Sequence, residues 1–184
     1  NKSQYKEFYN HPRLGAADYR LIEHTSNGRT AYTFCMCPGG YVIPSSCQKD
    51  QLVVNGMSYA SRSGENANSA LLVQINDSDY GNELFAGLKY QEDLEKKAFE
   101  MGHDYKACVQ LAKDYLENKI SNQFESVLPT YSIGTTFCDL NDLFSKEVNL
   151  ALHEALEHFE KKVPGFVSSG AILSAVESRS SSSV

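Results

Sequence analysis

The 184 residues have an ordinary soluble composition, 41% hydrophobic and 22% charged, which supplies enough apolar side chain for one packed domain. The formal net charge is −6 and the cationic residues are scattered, which argues against a nucleic-acid partner. No apolar run reaches the roughly 18 residues of a membrane-spanning helix, and the polar first residues predict no signal peptide.

The cysteine count is odd, which favours reduced thiols in a cytoplasmic protein over a secreted disulfide scaffold. The five cysteines are Cys35, Cys37, Cys47, Cys108 and Cys138.

Residues 14–76 are predicted to be rich in β-structure. Strands are expected at Asp18–Thr25 and Thr30–Cys37, and the Asn27-Gly28 pair between them is a strong hairpin signal. Three further strands are expected, at Tyr41–Ile43, Gln51–Tyr59 and Ser69–Ile75. Strands separated by turns in this way favour a largely antiparallel sheet.

Residues 85–165 are predicted to be mainly helical. Phe85–Met101 has an imperfect apolar stripe, whereas Lys146–Lys162 has a regular one formed by Val148, Leu152, Ala155 and Phe159. Residues 106–136 are weakly periodic and are interpreted as a connecting segment with room for one short strand.

A terminal strand is expected within 170–177. The sequence therefore predicts a single α+β domain over 1–184, with a largely antiparallel sheet of about four to six strands and helices packed on one side.

The first candidate site is the turn in TFCMCPGGYV, residues 33–42. Pro38 cannot donate to a β-ladder, while Gly39 and Gly40 permit positive φ and leave backbone N–H groups uncovered. These properties suit close approach of a flat or anionic ligand. The alternative is a tight turn between strands, which Pro-Gly sequences commonly form.

Cys35 and Cys37 point to the same face if they lie on a regular strand. Redox pairs and zinc sites normally have two intervening residues rather than one, and no His or Cys at finger-like spacing accompanies Cys47. Two buried structural thiols are therefore the favoured interpretation. A redox pair and half of a metal site are the alternatives, and no metal is predicted.

Two polar segments are the remaining candidates. The loop before the fifth predicted strand offers hydrogen-bonding groups from Arg62, Glu65, Asn66, Asn68 and Ser69, and loops held by a sheet concentrate binding groups. After the last predicted strand, Arg179 lies among serines that suit a phosphate or carboxylate. The alternatives are a solvated loop and a disordered tail. No GxSxG, GxxxxGK[ST], HExxH or GxGxxG occurs.

Four stretches resemble a large, mostly uncharacterised family of FAD-dependent dehydrogenases related to the two-dinucleotide-binding flavoproteins. The family pattern runs close to CMCPGGYV, then NGMS…R.G.NANSA, then a terminal ESR[ST]SSPV, from which Ser183 departs because Pro is usual there. The matching stretches are LGAADYRL (14–21), HTSNGRTAYTFCMCPGGYV (24–42), VNGMSYASRSGENANSALLV (54–73) and ILSAVESRSSS (172–182).

The resemblance implies the substrate-binding, or cap, domain of a larger FAD-dependent oxidoreductase. In the family a Rossmann-type segment precedes this region and another FAD-contacting segment follows it. The implied partner is therefore the FAD-binding domain of the parent chain, and FAD is expected in the full-length protein rather than on this fragment. The resemblance implies flavin-side roles for Gly39, Gly40, Asn66, Asn68 and Ser69. It implies substrate-side roles for Arg62, Glu65 and Arg179, and it assigns no catalytic residue.

A fragment of this kind is expected to be colourless, inactive and to expose an apolar docking face, through which a homodimer is an open alternative. The competing interpretation is a stand-alone module that binds a small ligand or partner without catalysis and hides its apolar surface.

Overall fold

The computed structural model describes residues 6–8, 11–14, 20–168 and 170–179, which form eight β-strands, five α-helices and a 3-10 turn at Lys6–Phe8. The strands are β1 (Ile22–His24), β2 (Thr30–Cys37), β3 (Gly40–Pro44), β4 (Val54–Ser58), β5 (Asn68–Val73), β6 (Ala107–Leu111), β7 (Thr135–Phe137) and β8 (Ile172–Ala175). The helices are α1 (Asp77–Tyr80), α2 (Ala86–Gly102), α3 (Ala112–Leu116), α4 (Leu140–Leu143) and α5 (Lys146–Lys162). The predicted α+β class is confirmed.

The strands are divided among three small sheets. The first has the order β1-β2-β5, the second is the β3-β4 pair, and the third has the order β7-β6-β8. All neighbours are antiparallel except β6 and β7, which are parallel. The pairing is therefore largely antiparallel, as the turn signals predict.

The hairpin predicted at Asn27-Gly28 joins β1 to β2, with Ile22 opposite Tyr32 and His24 opposite Thr30. Gly28 has a φ of +78°, a conformation that favours glycine. β1 is shorter than the predicted strand, whose residues 18 and 19 lie outside the described residues.

Residues 106–136 contain the short strand that the sequence allows, but they are more than a connection. β6 is the central strand of the third sheet, and α3 follows it directly. All five residues of β6 are buried. A strand that is covered on both faces lacks the polar–apolar alternation of a half-exposed strand, which explains the weak pattern.

Helix α5 has the predicted bounds and packs through the predicted stripe. Ser145 precedes it and its hydroxyl accepts a hydrogen bond from the Val148 amide, 3.2 Å away, as an N-cap should. Val148 and Leu152 face the main core, whereas Ala155 and Phe159 pack beneath β1 and β2. Burial of a side chain such as Phe159 stabilises the fold by about 1.5–3 kcal/mol. The helix thereby joins the first sheet to the core of the third.

Candidate functional site

The glycine turn between β2 and β3 packs directly against the loop at 61–66. Gly39 has a φ of +59°, and a Cβ there would lie 2.3 Å from the carbonyl carbon of Arg62. The Gly40 amide donates to the Asn66 carbonyl at 2.8 Å, and the Gly64 amide donates to the Gly39 carbonyl at 3.2 Å. The two candidate segments therefore form one unit, held together through the backbone.

Asn68, the first residue of β5, lies between two glycines. A Cβ on Gly56 would be 2.1 Å from the Asn68 Oδ1 atom, and a Cβ on Gly40 would be 2.8 Å from Nδ2. The Asn68 side chain therefore occupies the space beside both glycines, and at Gly40 the Cys37 carbonyl oxygen would be closer still, at 2.5 Å. The Nδ2 atom is buried and has no hydrogen-bond partner among the described residues. An unsatisfied buried amide costs about 1–3 kcal/mol, so the close packing of Asn68 between the two glycines is maintained against this cost.

A cavity of about 500 Å³ lies between β5, β8 and helix α2, within the usual size range for small-molecule sites. Its walls are largely apolar and aromatic, and its polar lining includes Asn55, Asn68, Ser69, Gln91, Glu177 and Ser178. Two of the predicted site residues, Asn68 and Ser69, therefore line one cavity together with the segment that follows β8.

Glu177 brings a carboxyl group to the cavity lining. Burial raises the pKa of Glu177, and none of the described residues pairs with its side chain through a hydrogen bond or ion pair. The pKa of the Cys37 thiol is raised, chiefly by burial and then by the charges of Cys35 and Glu177. Cys37 is the register partner of Asn68. Glu177 and Asn68 both belong to the cavity lining.

Arg179 does not line the cavity but pairs with Glu95 on α2. The guanidinium donates through Nη2 to Oε2 at 3.0 Å and through Nε to Oε1 at 3.2 Å. Ser178 and Gln91 also donate to Oε1, at 2.5 Å and 2.9 Å. Burial alone would raise the pKa of Glu95, but these hydrogen bonds outweigh it and lower that pKa. A buried carboxylate with donors from three residues therefore holds the segment that follows β8 against α2.

Glu95 is the site residue that the sequence pattern does not single out. Among charged residues, full burial is rare unless the charge is paired, and Glu95 is fully buried. The available signal is its spacing from Ala98 and Gly102, which share its buried face of α2. The imperfect stripe of α2 therefore reflects a carboxylate built into the helix face.

The remaining predicted residues lie outside the cavity. Arg62 and Glu65 are exposed on the loop, and Arg62 has a φ of +48°. Asn66 donates from its amide to the Leu128 carbonyl at 2.8 Å. Like Gly39 and Gly40, Asn66 holds the loop in position through its hydrogen bonds.

The interpretation of Cys35 and Cys37 as two buried thiols is wrong. Cys35 is exposed, Cys37 is half-buried, and the register of β2 shifts between Phe34 and Cys37. Cys35 has a φ of +48°, so the strand is bulged there and its regular alternation is interrupted. The described cysteines are all free thiols, of which Cys108 and Cys138 are buried.

Within the described part of the chain, no group of three or more His, Cys, Asp and Glu side chains is arranged to hold a metal ion. In the same residues, no helix is both long enough and apolar enough to cross a membrane.

The sequence profile of the family described as "FAD-dependent protein, C-terminal domain-like" matches residues 1–180. The chain belongs to this family. An uncharacterised protein of Clostridium beijerinckii (strain ATCC 51743 / NCIMB 8052) is 40% identical over 187 residues, an alignment that covers all of this chain and 35% of that protein. This FAD-dependent C-terminal domain-like chain thus spans about a third of the length of the curated relative it matches.

Proposed function

We propose that this chain is the substrate-binding domain of a larger FAD-dependent oxidoreductase of the dehydrogenase type. The observation that carries the proposal is the cavity, because three separated motifs contribute to its lining. They are the β4 segment at Asn55 and Gly56, the β5 segment at Asn68 and Ser69, and the β8 exit at Glu177. Family membership supports the association with FAD.

The residues present fit the ring of a flavin or its reaction partner better than they fit the phosphates of FAD. The cavity offers a largely apolar space, and Asn68 offers a buried donor without a partner. In contrast, the sequence has no GxGxxG signature for binding a dinucleotide phosphate. We therefore assign the phosphates of FAD to the parent chain's FAD-binding domain.

Within this proposal, the flavin supplies the hydride chemistry and the chain supplies binding and orientation. Asn68 and Ser69 face the flavin side of the cavity, and Gly39, Gly40 and Asn66 fix the strand end from which Asn68 projects. Arg179 acts through Glu95, because its guanidinium is already paired. Arg62 and Glu65 remain candidates for contacts made from the loop surface.

Exposed apolar side chains near the glycine turn support a docking partner. Phe34 and Met36 on β2 are 40% and 42% exposed, Met57 on β4 is 51% exposed, and Tyr59, which directly follows β4, is 73% exposed. A contiguous patch of exposed apolar side chains often marks an interaction site, whereas a single exposed apolar side chain does not. We propose that the parent's FAD-binding domain docks on this surface, which favours a domain of a larger protein over a stand-alone module.

The test compares the 184-residue chain with the full-length protein. The chain alone is expected to be colourless and to lose added FAD on gel filtration, whereas the full-length protein retains a flavin with visible absorbance. In the full-length protein, Asn68→Leu is expected to weaken flavin retention or slow flavin reduction about three- to tenfold, the effect of one lost hydrogen bond.

Asn122→Leu is the matched control, since Asn122 is an exposed residue that does not line the cavity. A full-length protein that folds but contains no flavin would contradict the proposal. So would a 184-residue chain that retains flavin in equal amount by itself.

A further inference from the structure

The cavity runs along the open edges of two strands, β5 and β8. Its lining includes every residue of 68–75 and every residue of 172–178. Successive side chains of a strand point to opposite faces of its sheet, so a cavity on one face is lined by alternate residues. An unbroken run of lining residues therefore indicates that the cavity follows the edge of each strand, where the backbone itself is reached.

β5 is the outer strand of the first sheet and has β2 as its single neighbour among the described residues. The Gln74 amide donates to the Thr30 carbonyl at 2.9 Å. Hydrogen-bonded pairs alternate along an antiparallel ladder, so the peptide groups of Leu71 and Val73 point away from β2. No described residue forms a hydrogen bond with these outward peptide groups. β5 therefore offers free backbone donors and acceptors along its outer edge.

β8 is the outer strand of the third sheet, with β6 as its single neighbour in the described part of the chain. The Ala112 amide donates to the Ala171 carbonyl at 2.9 Å. By the same alternation, the peptide groups of Ile172 and Ser174 point away from β6. They too have no hydrogen-bond partner within the described ranges. The cavity thus lies between two strand edges with unsatisfied backbone groups.

The beginning of β4 shows how wide the gap between these edges is. The Val54 amide donates to the outward carbonyl of Val176, directly after β8, at 2.8 Å. Two residues further along β4, a Cβ on Gly56 would lie 2.1 Å from the Asn68 Oδ1 atom on β5. At this end a single strand therefore contacts both edges. Neighbouring strands lie about 4.8 Å apart, so the rest of the gap suits one added strand.

Neither edge has the features that keep exposed strands from pairing with other chains. Natural edges are protected by charged side chains, by proline or by a covering element, whereas β5 reads NSALLV and β8 reads ILSA. In the described lining the one charged side chain is that of Glu177, beyond the end of β8. Apolar edges with free peptide groups are the surfaces to which proteins add an extended segment.

We infer that an extended, largely apolar segment of the parent chain, from outside these 184 residues, inserts between β5 and β8 as a shared strand. Insertion joins the first and third sheets and satisfies the outward peptide groups on both sides. The match to the Clostridium beijerinckii protein covers 35% of that protein, so about two thirds of such a chain can supply the segment. The inference rests on the proposed function for the identity of the parent chain. It leaves the part of the cavity at Asn55 and Glu177 for the ligand.

Hydrogen–deuterium exchange followed by mass spectrometry compares the full-length protein with the 184-residue chain. In the 184-residue chain only the amides that face the ladder are protected, so about half of the β5 and β8 amides should exchange slowly. In the full-length protein the number of slowly exchanging amides in these two strands should roughly double. β6 is the control, because it has a neighbour on each side and should be protected in both proteins.

A photo-crosslinking residue identifies the inserted segment in the full-length protein. Benzoylphenylalanine in place of Ser174 should capture a peptide of the same chain that lies outside the 184 residues. The same residue in place of Leu150 is the control, since Leu150 is exposed and does not line the cavity, and it should not capture that peptide. This experiment needs only the full-length protein, so it is decisive even if the 184-residue chain does not fold by itself.

Outward amides that exchange equally fast in both proteins would overturn the inference, and so would outward amides already protected in the 184-residue chain. A cross-link to a second copy, or only to residues within the 184, would overturn it as well. In any of these cases a full-length protein that contains flavin would leave the proposed function standing. Protected edges in a full-length protein without flavin would support the inserted strand and remove the proposed function.

Discussion

Arg179 and Glu95 form a two-pronged ion pair that joins the last described residue to helix α2, with nitrogen–oxygen distances of 3.0 Å and 3.2 Å. The Glu95 side chain is fully buried, while that of Arg179 is 35% exposed. Gln91 and Ser178 donate to the same carboxylate and also line the cavity. The pair therefore holds two residues of the cavity lining in place. Its loss should lower the stability of the fold and weaken ligand binding in the cavity.

Arg179→Met is expected to destabilise the chain by about 3 kcal/mol. The reason is that the variant leaves the buried Glu95 carboxylate without its charge partner, and partial exposure of Arg179 places the effect at the lower end of the usual range. Urea unfolding followed by circular dichroism measures the free energy of unfolding. Lys119→Met is the control, because its pair with Glu117 is exposed and should contribute less than about 1 kcal/mol.

The Arg179–Glu95 pair also predicts how the stability of the fold depends on pH. Because the pKa of Glu95 is lowered in the folded chain, the stability from its pairing is present above the ordinary glutamate pKa and is lost as the pH falls through the folded value. The native chain should therefore lose its advantage over Arg179→Met as the medium is acidified below that ordinary pKa. An advantage that is constant from neutral pH into this acidic range would contradict the assignment.

Gly39→Ala is expected to be more damaging than Gly28→Ala. Both glycines have positive φ, but a Cβ on Gly28 would meet no atom within 4 Å, whereas one on Gly39 would be 2.3 Å from the Arg62 backbone. Gly28→Ala should cost about 1–2 kcal/mol for the left-handed backbone, and Gly39→Ala a further 1–3 kcal/mol for overpacking. Chemical unfolding of the two variants side by side measures the difference. Equal losses would show that the close approach to the loop has no energetic consequence.

The comparison of these glycines also shows what can be predicted from the sequence. The hairpin at Asn27-Gly28 depends on adjacent residues, so a local pattern identifies it. Helix α5 is likewise identified by a local pattern, its regular apolar stripe. The requirement for Gly39 comes from the backbone of Arg62, which is distant along the chain. The sequence therefore marks Gly39 as unusual but does not identify the atoms that require it.

The same limit applies to the candidate site. Asn68 and Ser69 are polar residues at the start of β5, where a local pattern directs attention, and both line the cavity, while their role in binding stays a prediction. Glu95 was not predictable, because a glutamate within a charged helix is usually solvated and its burial depends on Arg179 at the far end of the sequence. A pairing of this kind depends on the fold, and no local pattern contains it.

Tyr115→Phe is expected to cost about 1–3 kcal/mol. The Tyr115 hydroxyl donates to the Asn149 Oδ1 atom at 2.7 Å, and both residues are buried. Removing the hydroxyl leaves Oδ1 without this donor, while the amide nitrogen of Asn149 still donates to the Asn141 and Phe144 carbonyls. Thermal and urea unfolding both report the loss.

The matched control for Tyr115 is Tyr105→Phe. The Tyr105 hydroxyl accepts from the Asp50 amide at 3.0 Å in an exposed setting, where water can replace it, so a change below about 1 kcal/mol is expected. A Tyr115 variant no less stable than the Tyr105 variant would show that the buried contact with Asn149 does not stabilise the fold.

Glu160→Gln tests the carboxylate that closes the end of α5. Its oxygens accept from the Gly165 amide at 3.0 Å, the Val167 amide at 2.6 Å and the Ser168 hydroxyl at 2.6 Å. These donors lower the pKa of Glu160 to about 2. A depressed pKa means that the carboxylate stabilises the fold above its ordinary pKa of 4.5 and loses this effect as the pH falls toward about 2.

The expected result is therefore a melting temperature below that of the native chain at pH 7, with a difference that shrinks between pH 4.5 and about 2. Thermal unfolding across this range measures it. Glu157→Gln is the control on the same helix, since Glu157 is exposed and its charge should contribute little. If Glu160→Gln melts with the native chain at neutral pH, or if their difference is independent of pH, the turn after α5 is held by its backbone and by Pro164 rather than by the Glu160 carboxylate.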